Sequence, residues 1–198
     1  MSNMHKISKE AFENASLYLS NSSDSYTTGF TPVRISVNGT DYETGYQKLK
    51  NAVRKVLGEP KPLRIVFTKD TMQIFDVKNK VIKTEAIPEF SYMQIGLIRT
   101  IGMLAGLPQY YYGLAIIIEV KSKQYYFLNA KYKVFDELKQ LMKENNVNFE
   151  DPFVLTKMPE DLEKKYKYFE TQFNTLAPAA GYPQQLNTVS GNKSKLWI

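Results

Sequence analysis

From Leu63 to Leu128 the chain is a succession of short β-forming stretches separated by tight polar turns, and that rhythm restricts the fold more than any other feature. Leu63–Phe67, Met72–Val77, Val81–Ile87, Phe90–Ile95, Tyr111–Val120 and Gln124–Leu128 are rich in β-branched and aromatic residues. Thr68–Thr71, Lys78-Asn79-Lys80 and Lys121-Ser122-Lys123 read as the turns between them. Connections this short join antiparallel neighbours, because a parallel return needs a longer crossover. A helix from about Lys131 to Asn145 closes the run, with Val134, Phe135, Leu138, Leu141 and Met142 on one side.

Upstream, Ser8 is placed to cap a helix over Lys9–Leu19, and Ile7 with Phe12 has the spacing of a hydrophobic staple. Ser20–Thr28 reads as a loop. Val33, Ile35 and Val37 then alternate at strand period, and Asn38-Gly39 is a hairpin turn whose residues tolerate positive φ. After a short return strand, Thr40–Glu43, Thr44 and Gln47 form a capping box into a helix that ends near Leu57, before Gly58. Tyr46, Leu49, Val53, Val56 and Leu57 share its apolar face, while Lys48, Lys50, Arg54 and Lys55 surround it. Glu59-Pro60-Lys61-Pro62 is a stiff connector. A last helix over Glu160–Phe173 carries Leu162, Tyr166, Phe169 and Phe173 on one stripe, and composition predicts a flexible tail from Asn174. The expected divisions are residues 1–60, 61–146, 147–173 and 174–198.

The strand run with its closing helix resembles the bacterial pleckstrin-homology-like domains over residues 63–145. Leu63-Arg64-Ile65-Val66-Phe67-Thr68-Lys69-Asp70 is similar to their opening strand and turn. Ile87-Pro88-Glu89-Phe90-Ser91-Tyr92-Met93-Gln94-Ile95 resembles their proline-led strand, and Gly113–Val120 with Lys123–Leu128 their closing hairpin. Phe135-Asp136-Glu137-Leu138 sits where their helix begins. The resemblance implies an α+β fold: an antiparallel barrel or sandwich capped by a helix, here with an N-terminal helix–hairpin–helix extension and a C-terminal helix and tail. It implies binding of lipid, peptide or protein rather than one chemistry. The basic cluster of phosphoinositide-binding members is represented here only by Arg64 and Lys69, followed by Asp70.

Catalytic signatures are lacking in the sequence. There is no cysteine, so disulfides, zinc ribbons, iron–sulfur ligation and thiol nucleophiles are excluded. The single histidine, His5, reads as a solvated residue of an N-terminal tail, with no Gly-x-Ser-x-Gly elbow elsewhere. Glu150-Asp151 and Glu160-Asp161 read as caps or helix-start charges. Gly96, Gly102 and Gly106 are too widely spaced to cradle a phosphate chain. No cofactor or metal is expected. Lys121, Lys123, Tyr125 and Tyr126 interleave charge with aromatics, but Gln124 stands where an RNA-recognition strand needs glycine, so nucleic acid is not the expected partner. The net charge of +6, from 26 basic and 20 acidic residues, fits an anionic surface without requiring one. Met1–Glu10 lacks the apolar core of a signal peptide. Tyr92–Leu107, the least polar stretch, carries Arg99 and falls short of the ~20 residues of a spanning helix. The expected location is the cytoplasm, at most against a membrane surface.

Three segments stand out as candidate surfaces. Met93, Leu97, Ile101, Leu104 and Ala105 have the spacing of a helical stripe, either a plug for one end of the barrel or an exposed apolar lobe. Tyr110-Tyr111-Tyr112 cannot all face inward from a strand. Leu196-Trp197-Ile198 places the only tryptophan at the chain end. The leading expectation is a non-enzymatic adaptor that binds a protein partner through Tyr110, Tyr111, Tyr112, Leu196, Trp197 and Ile198. The second is a peripheral membrane protein, held on anionic lipid by Lys48, Lys50, Arg54, Lys55, Leu97, Ile98 and Ile101.

Overall fold

The computed structural model describes residues 5–7, 31–41, 63–76, 78–104, 107–129 and 131–183, with backbone alone at 31–32 and 100–104. Nine strands lie among them: β1 (Thr31–Val37), β2 (Thr40–Asp41), β3 (Leu63–Phe67), β4 (Thr71–Phe75), β5 (Val81–Ala86), β6 (Phe90–Leu104), β7 (Leu107–Val120), β8 (Lys123–Asn129) and β9 (Asn148–Glu150). The helices are α1 (Val134–Glu144) and α2 (Leu162–Ala180). The helices expected over 9–19 and 44–57 lie outside the described residues.

The strands run in the order β5-β4-β3-β1-β8-β7-β6-β9, with β2 appended to β1. Two sheets meet at β1. Its first residues pair with β8 (Thr31 with Phe127, Pro32 with Leu128), and Val33–Val37 pair with β3. Both pairings are parallel, as is that of β9 with β6, whereas β3-β4-β5 and β6-β7-β8 are antiparallel meanders. The α+β class therefore holds, but the wholly antiparallel barrel does not: both sheets are mixed, and no closed barrel forms among the described residues. The cause is β1, a strand from outside the expected domain that enters between the two meanders.

Local signals act as expected in the first meander. Asn38 and Gly39 both take positive φ, 47° and 83°, which turns β1 back onto β2. In β3 and β4 the alternation is clean: Leu63, Ile65, Phe67, Met72 and Ile74 are buried, with partly covered residues between them. The second meander departs from alternation. Met93–Ile98, Leu114–Ile118 and Tyr125–Leu128 are consecutive buried runs, because these strands are covered on both faces. Tyr125 reaches across the molecule and donates its hydroxyl proton to the buried Glu85 carboxylate, tying β8 to β5.

Two expectations are corrected here. Tyr92–Leu107 is not a helix or loop. Its residues through Leu104 belong to β6, which pairs with β7 from Phe90 opposite Val120 to Leu104 opposite Leu107. The flexible tail does not begin at Asn174 either. α2 continues to Ala180, Gly181 closes it in the left-handed conformation (φ 78°), and Tyr182 is buried. Phe169, Phe173, Ala177 and Ala180 prolong one buried stripe, so residues that read as low in hydrophobicity gain their stability from packing. α1 buries the five apolar residues expected of it.

Candidate functional site

β8 accompanies β7 only from Leu114, opposite Asn129, to Val120. Beyond it, residues 98–104 and 107–113 continue as a two-stranded arm, with Ile98 opposite Gly113 at its root. The Arg99 guanidinium lies 4.6 Å from the ring centre of Tyr110 and 4.9 Å from that of Phe173 on α2. Its Nη1 donates to Asn174 Oδ1 at 3.0 Å. Tyr112 is buried against Phe169 and Phe173, with ring centroids 6.0 and 5.9 Å away, and its carbonyl accepts the Tyr132 hydroxyl. The root of the arm is thus fastened to α2 by rings and charge. Further out, Leu107 is 70% exposed and Tyr110 43% exposed, while Tyr111 is partly covered.

The three tyrosines therefore divide. Tyr110 and Tyr111 are presented on the arm, whereas Tyr112 is withdrawn into the aromatic cluster under α2. Leu97 and Ile98 are buried in the core, so they form no exposed lobe: with both faces of β6 covered here, they have no solvent to face. Ile101 lies in β6 opposite Tyr110. Lys48, Lys50, Arg54, Lys55, Leu196, Trp197 and Ile198 lie outside the described residues.

A second polar assembly was not foreseen. Parallel pairing of β9 with β6 sets Glu150 opposite Gln94. Glu150 Oε2 accepts from the His5 backbone N–H at 3.1 Å and from Gln94 Nε2 at 2.8 Å, and Oε1 lies 2.5 Å from His5 Nδ1. Gln94 Nε2 also donates to the His5 carbonyl (2.7 Å), and Gln94 Oε1 accepts the Tyr182 hydroxyl at 3.0 Å. The His5 ring stacks on Tyr92 with centroids 3.9 Å apart and planes 7° from parallel. Gln124 Nε2 then donates to both the Tyr92 hydroxyl oxygen and Glu119, at 3.1 Å each. Together with buried Ile7, these contacts clasp the N-terminal segment against β6, β9 and the end of α2.

His5 keeps the solvent exposure expected of it but is no loose tail residue, and Glu150 is not a cap: the clasp joins the pair across 145 residues, beyond any local pattern. The one hint was Gln94, an amide inside an apolar strand, which must find partners if buried. The neighbouring acids do cap. Asp151 accepts from Leu155 N at 2.7 Å and Thr156 N at 2.9 Å, and Asp161 accepts from Lys164 N at 2.9 Å.

Burial, with Glu119, Tyr126 and Glu150 adding repulsion, raises the Tyr92 phenol far above its ordinary range. Burial first, then Glu150, raises Tyr182 in the same way, and burial raises Tyr132. Folding keeps these phenols neutral, so only the unfolded chain loses their protons as pH passes the ordinary value of 10.0. Their contribution is complete below that pH and disappears as pH climbs towards the raised folded values. Tyr182 and Tyr132 should each remove about 1.4 kcal/mol of stability per pH unit in that window. In a pH titration followed by phenolate absorbance and circular dichroism, a late group of tyrosines is expected to ionise together with unfolding. Smooth ionisation of all fourteen tyrosines near pH 10.0 with the fold intact would contradict this.

Among the described residues no three His, Asp or Glu side chains are gathered as a metal site, and no helix is long and apolar enough to cross a membrane. No family model matches the chain, and no match was found among curated proteins or solved structures.

Proposed function

We propose that this protein is a non-enzymatic binding protein that engages a protein partner through the β6–β7 arm. The observation that carries the reading is the arm itself: a root fixed by Arg99 and Phe173, and beyond it Leu107 and Tyr110 at 70% and 43% exposure. A braced ribbon loses little conformational freedom on binding, and large aromatic or aliphatic anchors dominate interface energies. The clasp supports the same reading. Both oxygens of Glu150 are engaged, with the His5 backbone and ring and with the Gln94 amide, contacts that hold the N-terminal segment in place. The resemblance of residues 63–145 to pleckstrin-homology-like domains agrees with a binding role. Leu196-Trp197-Ile198 belongs to the proposal as a second contact. The membrane reading is weaker, because Leu97 and Ile98, two of the three apolar residues it relied on, are buried in the core.

The test is a photo-crosslinking side chain placed at Leu107, with Ile82 on the other sheet as control, in the cells that make the protein. One discrete protein adduct is expected at position 107 and none at 82, and Tyr110→Ser should weaken the isolated complex at least tenfold, about 1.4 kcal/mol. Equal labelling at both positions would overturn the proposal. Flotation on anionic liposomes that salt abolishes, without an adduct, would favour the membrane reading.

A further inference from the structure

We infer that the partner of the arm supplies an extended apolar strand that pairs with β7 along Pro108–Tyr112, in the lane that β8 leaves vacant. The inference rests on the reading of the arm as a binding element. β8 accompanies β7 only from Val120, opposite Lys123, to Leu114, opposite Asn129, and among the described residues no other strand lies on that side of β7. Which main-chain groups line the open edge follows from the ladder. Lys121-Ser122 is a two-residue turn with both residues at positive φ, so Val120 and Lys123 form a hydrogen-bonded pair. Such pairs recur at every second residue, so the even-numbered residues of β7 turn their N–H and C=O towards β8 and the odd-numbered ones towards β6. Continued past Leu114, the alternation aims the main-chain groups of Tyr112, Tyr110 and Pro108 into the vacant lane.

Two observations agree with that direction. The Tyr112 carbonyl accepts the hydroxyl of Tyr132, which follows β8 in the chain, so a side chain there takes the place of a strand donor. Pro108, opposite Met103, has no N–H, and at an even position it deprives β6 of no ladder bond. The edge then presents the N–H groups of Tyr112 and Tyr110 and the carbonyls of Tyr110 and Pro108, a row that the backbone of an added strand complements. The lane is also neutral. From Phe90 to Ile118 the one charged residue is Arg99, and its guanidinium is held by Tyr110, Phe173 and Asn174. Open edges in native proteins are commonly guarded by lysines or other charges; here the guard is Pro108 alone, at the outer end. A charged segment would find no counter-charge along the arm, so an apolar one fits. Beside the root of the lane the α2 stripe comes to the surface. Tyr166 stands near enough to Tyr132 to help raise its phenol, and Leu162 lies one turn away on the helix, both exposed and able to meet side chains of the added strand.

The test selects a probe on the immobilised full chain from a displayed library of random linear peptides. An uncharged peptide with apolar residues at alternate positions is expected, bound at the arm and weakened by Tyr110→Ser. N-methylation of the peptide at every second residue should weaken binding at least tenfold, while methylation of the intervening residues is tolerated, because only alternate N–H groups of an added strand face β7. In the complex, the amides of Tyr110 and Tyr112 should exchange at least tenfold more slowly by nuclear magnetic resonance, with those of Gln109 and Tyr111, which face β6, little changed. Tyr110→Pro should bind more weakly than Tyr110→Ser, which loses the same ring and keeps the N–H; if the proline variant does not fold, the N-methyl series and the exchange rates carry the comparison. A peptide that needs Tyr110 but shows no alternation and no slowing at Tyr110 and Tyr112 overturns strand addition and leaves the arm a binding surface. Failure to select any arm-dependent peptide also overturns the inference, and the adduct at position 107 then decides the arm's role separately.

Discussion

Alanine at Gly96 is expected to destabilise the protein by about 3 kcal/mol, the upper part of the usual range for overpacking a core. A Cβ built on Gly96 would stand 2.0 Å from the Tyr182 hydroxyl oxygen and 2.4 Å from its Cζ. The penalty is one of space. Tyr182 cannot simply swing aside, because its hydroxyl is bonded to Gln94 and its ring packs edge-on against Phe153, with centroids 4.8 Å apart. Displacing it loosens the clasp on His5 and Glu150 as well. Tyr182→Ala alone should cost about 3–5 kcal/mol as a buried aromatic truncation. In that background the obstruction is gone, so adding Gly96→Ala should cost little. The double variant should then be at least 2 kcal/mol more stable than the sum of the singles, a coupling expected only of groups in contact. Urea denaturation of the four proteins measures it, and strict additivity would show that the two residues do not meet.

Phe173→Ala should be comparably severe, at about 3–5 kcal/mol, with a local signature of its own. Phe173 is fully buried and joins three features: it touches Tyr112, stacks near Phe153 at 5.9 Å, and forms one side of the Arg99 sandwich. Its loss opens a cavity under α2 and unfastens the arm at its root. Hydrogen exchange followed by mass spectrometry should show residues 107–113 losing protection well before Leu114–Val120, which β8 continues to hold. Phe173→Leu, which keeps much of the volume, should cost about 1.5 kcal/mol. Unchanged exchange in the arm of a folded Phe173→Ala protein would separate the arm from α2 and remove the premise that its root is braced.

What the sequence revealed and what it hid follow from the range of the interactions. Turns were legible because they are local: Asn38-Gly39 and Lys121-Ser122 adopt the positive φ values that their short connections require. Strands with one covered face, such as β3 and β4, declared themselves by alternation. β6 did not, since a strand buried on both sides has lost its period, and Met93, Leu97, Ile101 and Leu104 then match a helical spacing by coincidence. The glycines at 96 and 102 argued against a helix and carried the better signal. α2 was read short because Ala177 and Ala180 are weak hydrophobes whose value lies in close approach. Of the arm, Tyr110–Tyr112 was visible as a conflict between three rings and two faces, but which ring turns inward depends on Phe169 and Phe173. The clasp was invisible because His5, Gln94, Glu150 and Tyr182 come from four distant parts of the chain.

The position of β1 also bears on the order of assembly. β3-β4-β5 and β6-β7-β8 are contiguous hairpin series, each able to zip from neighbouring residues as soon as it is synthesised. β1 is made before either, yet its partners are β3 on one side and β8, whose Phe127 meets Thr31, on the other. Next to it in the chain is only the two-residue β2, and its full set of neighbours exists only once both series have been made. Topology therefore gives the earliest of these strands to leave the ribosome the longest-range closures to make, by parallel pairing rather than by a hairpin, the kind of contact that costs most loop entropy. Until those closures form the two meanders each keep an open inner edge, which makes the interval before β1 docks the period when the chain most needs protection from its neighbours.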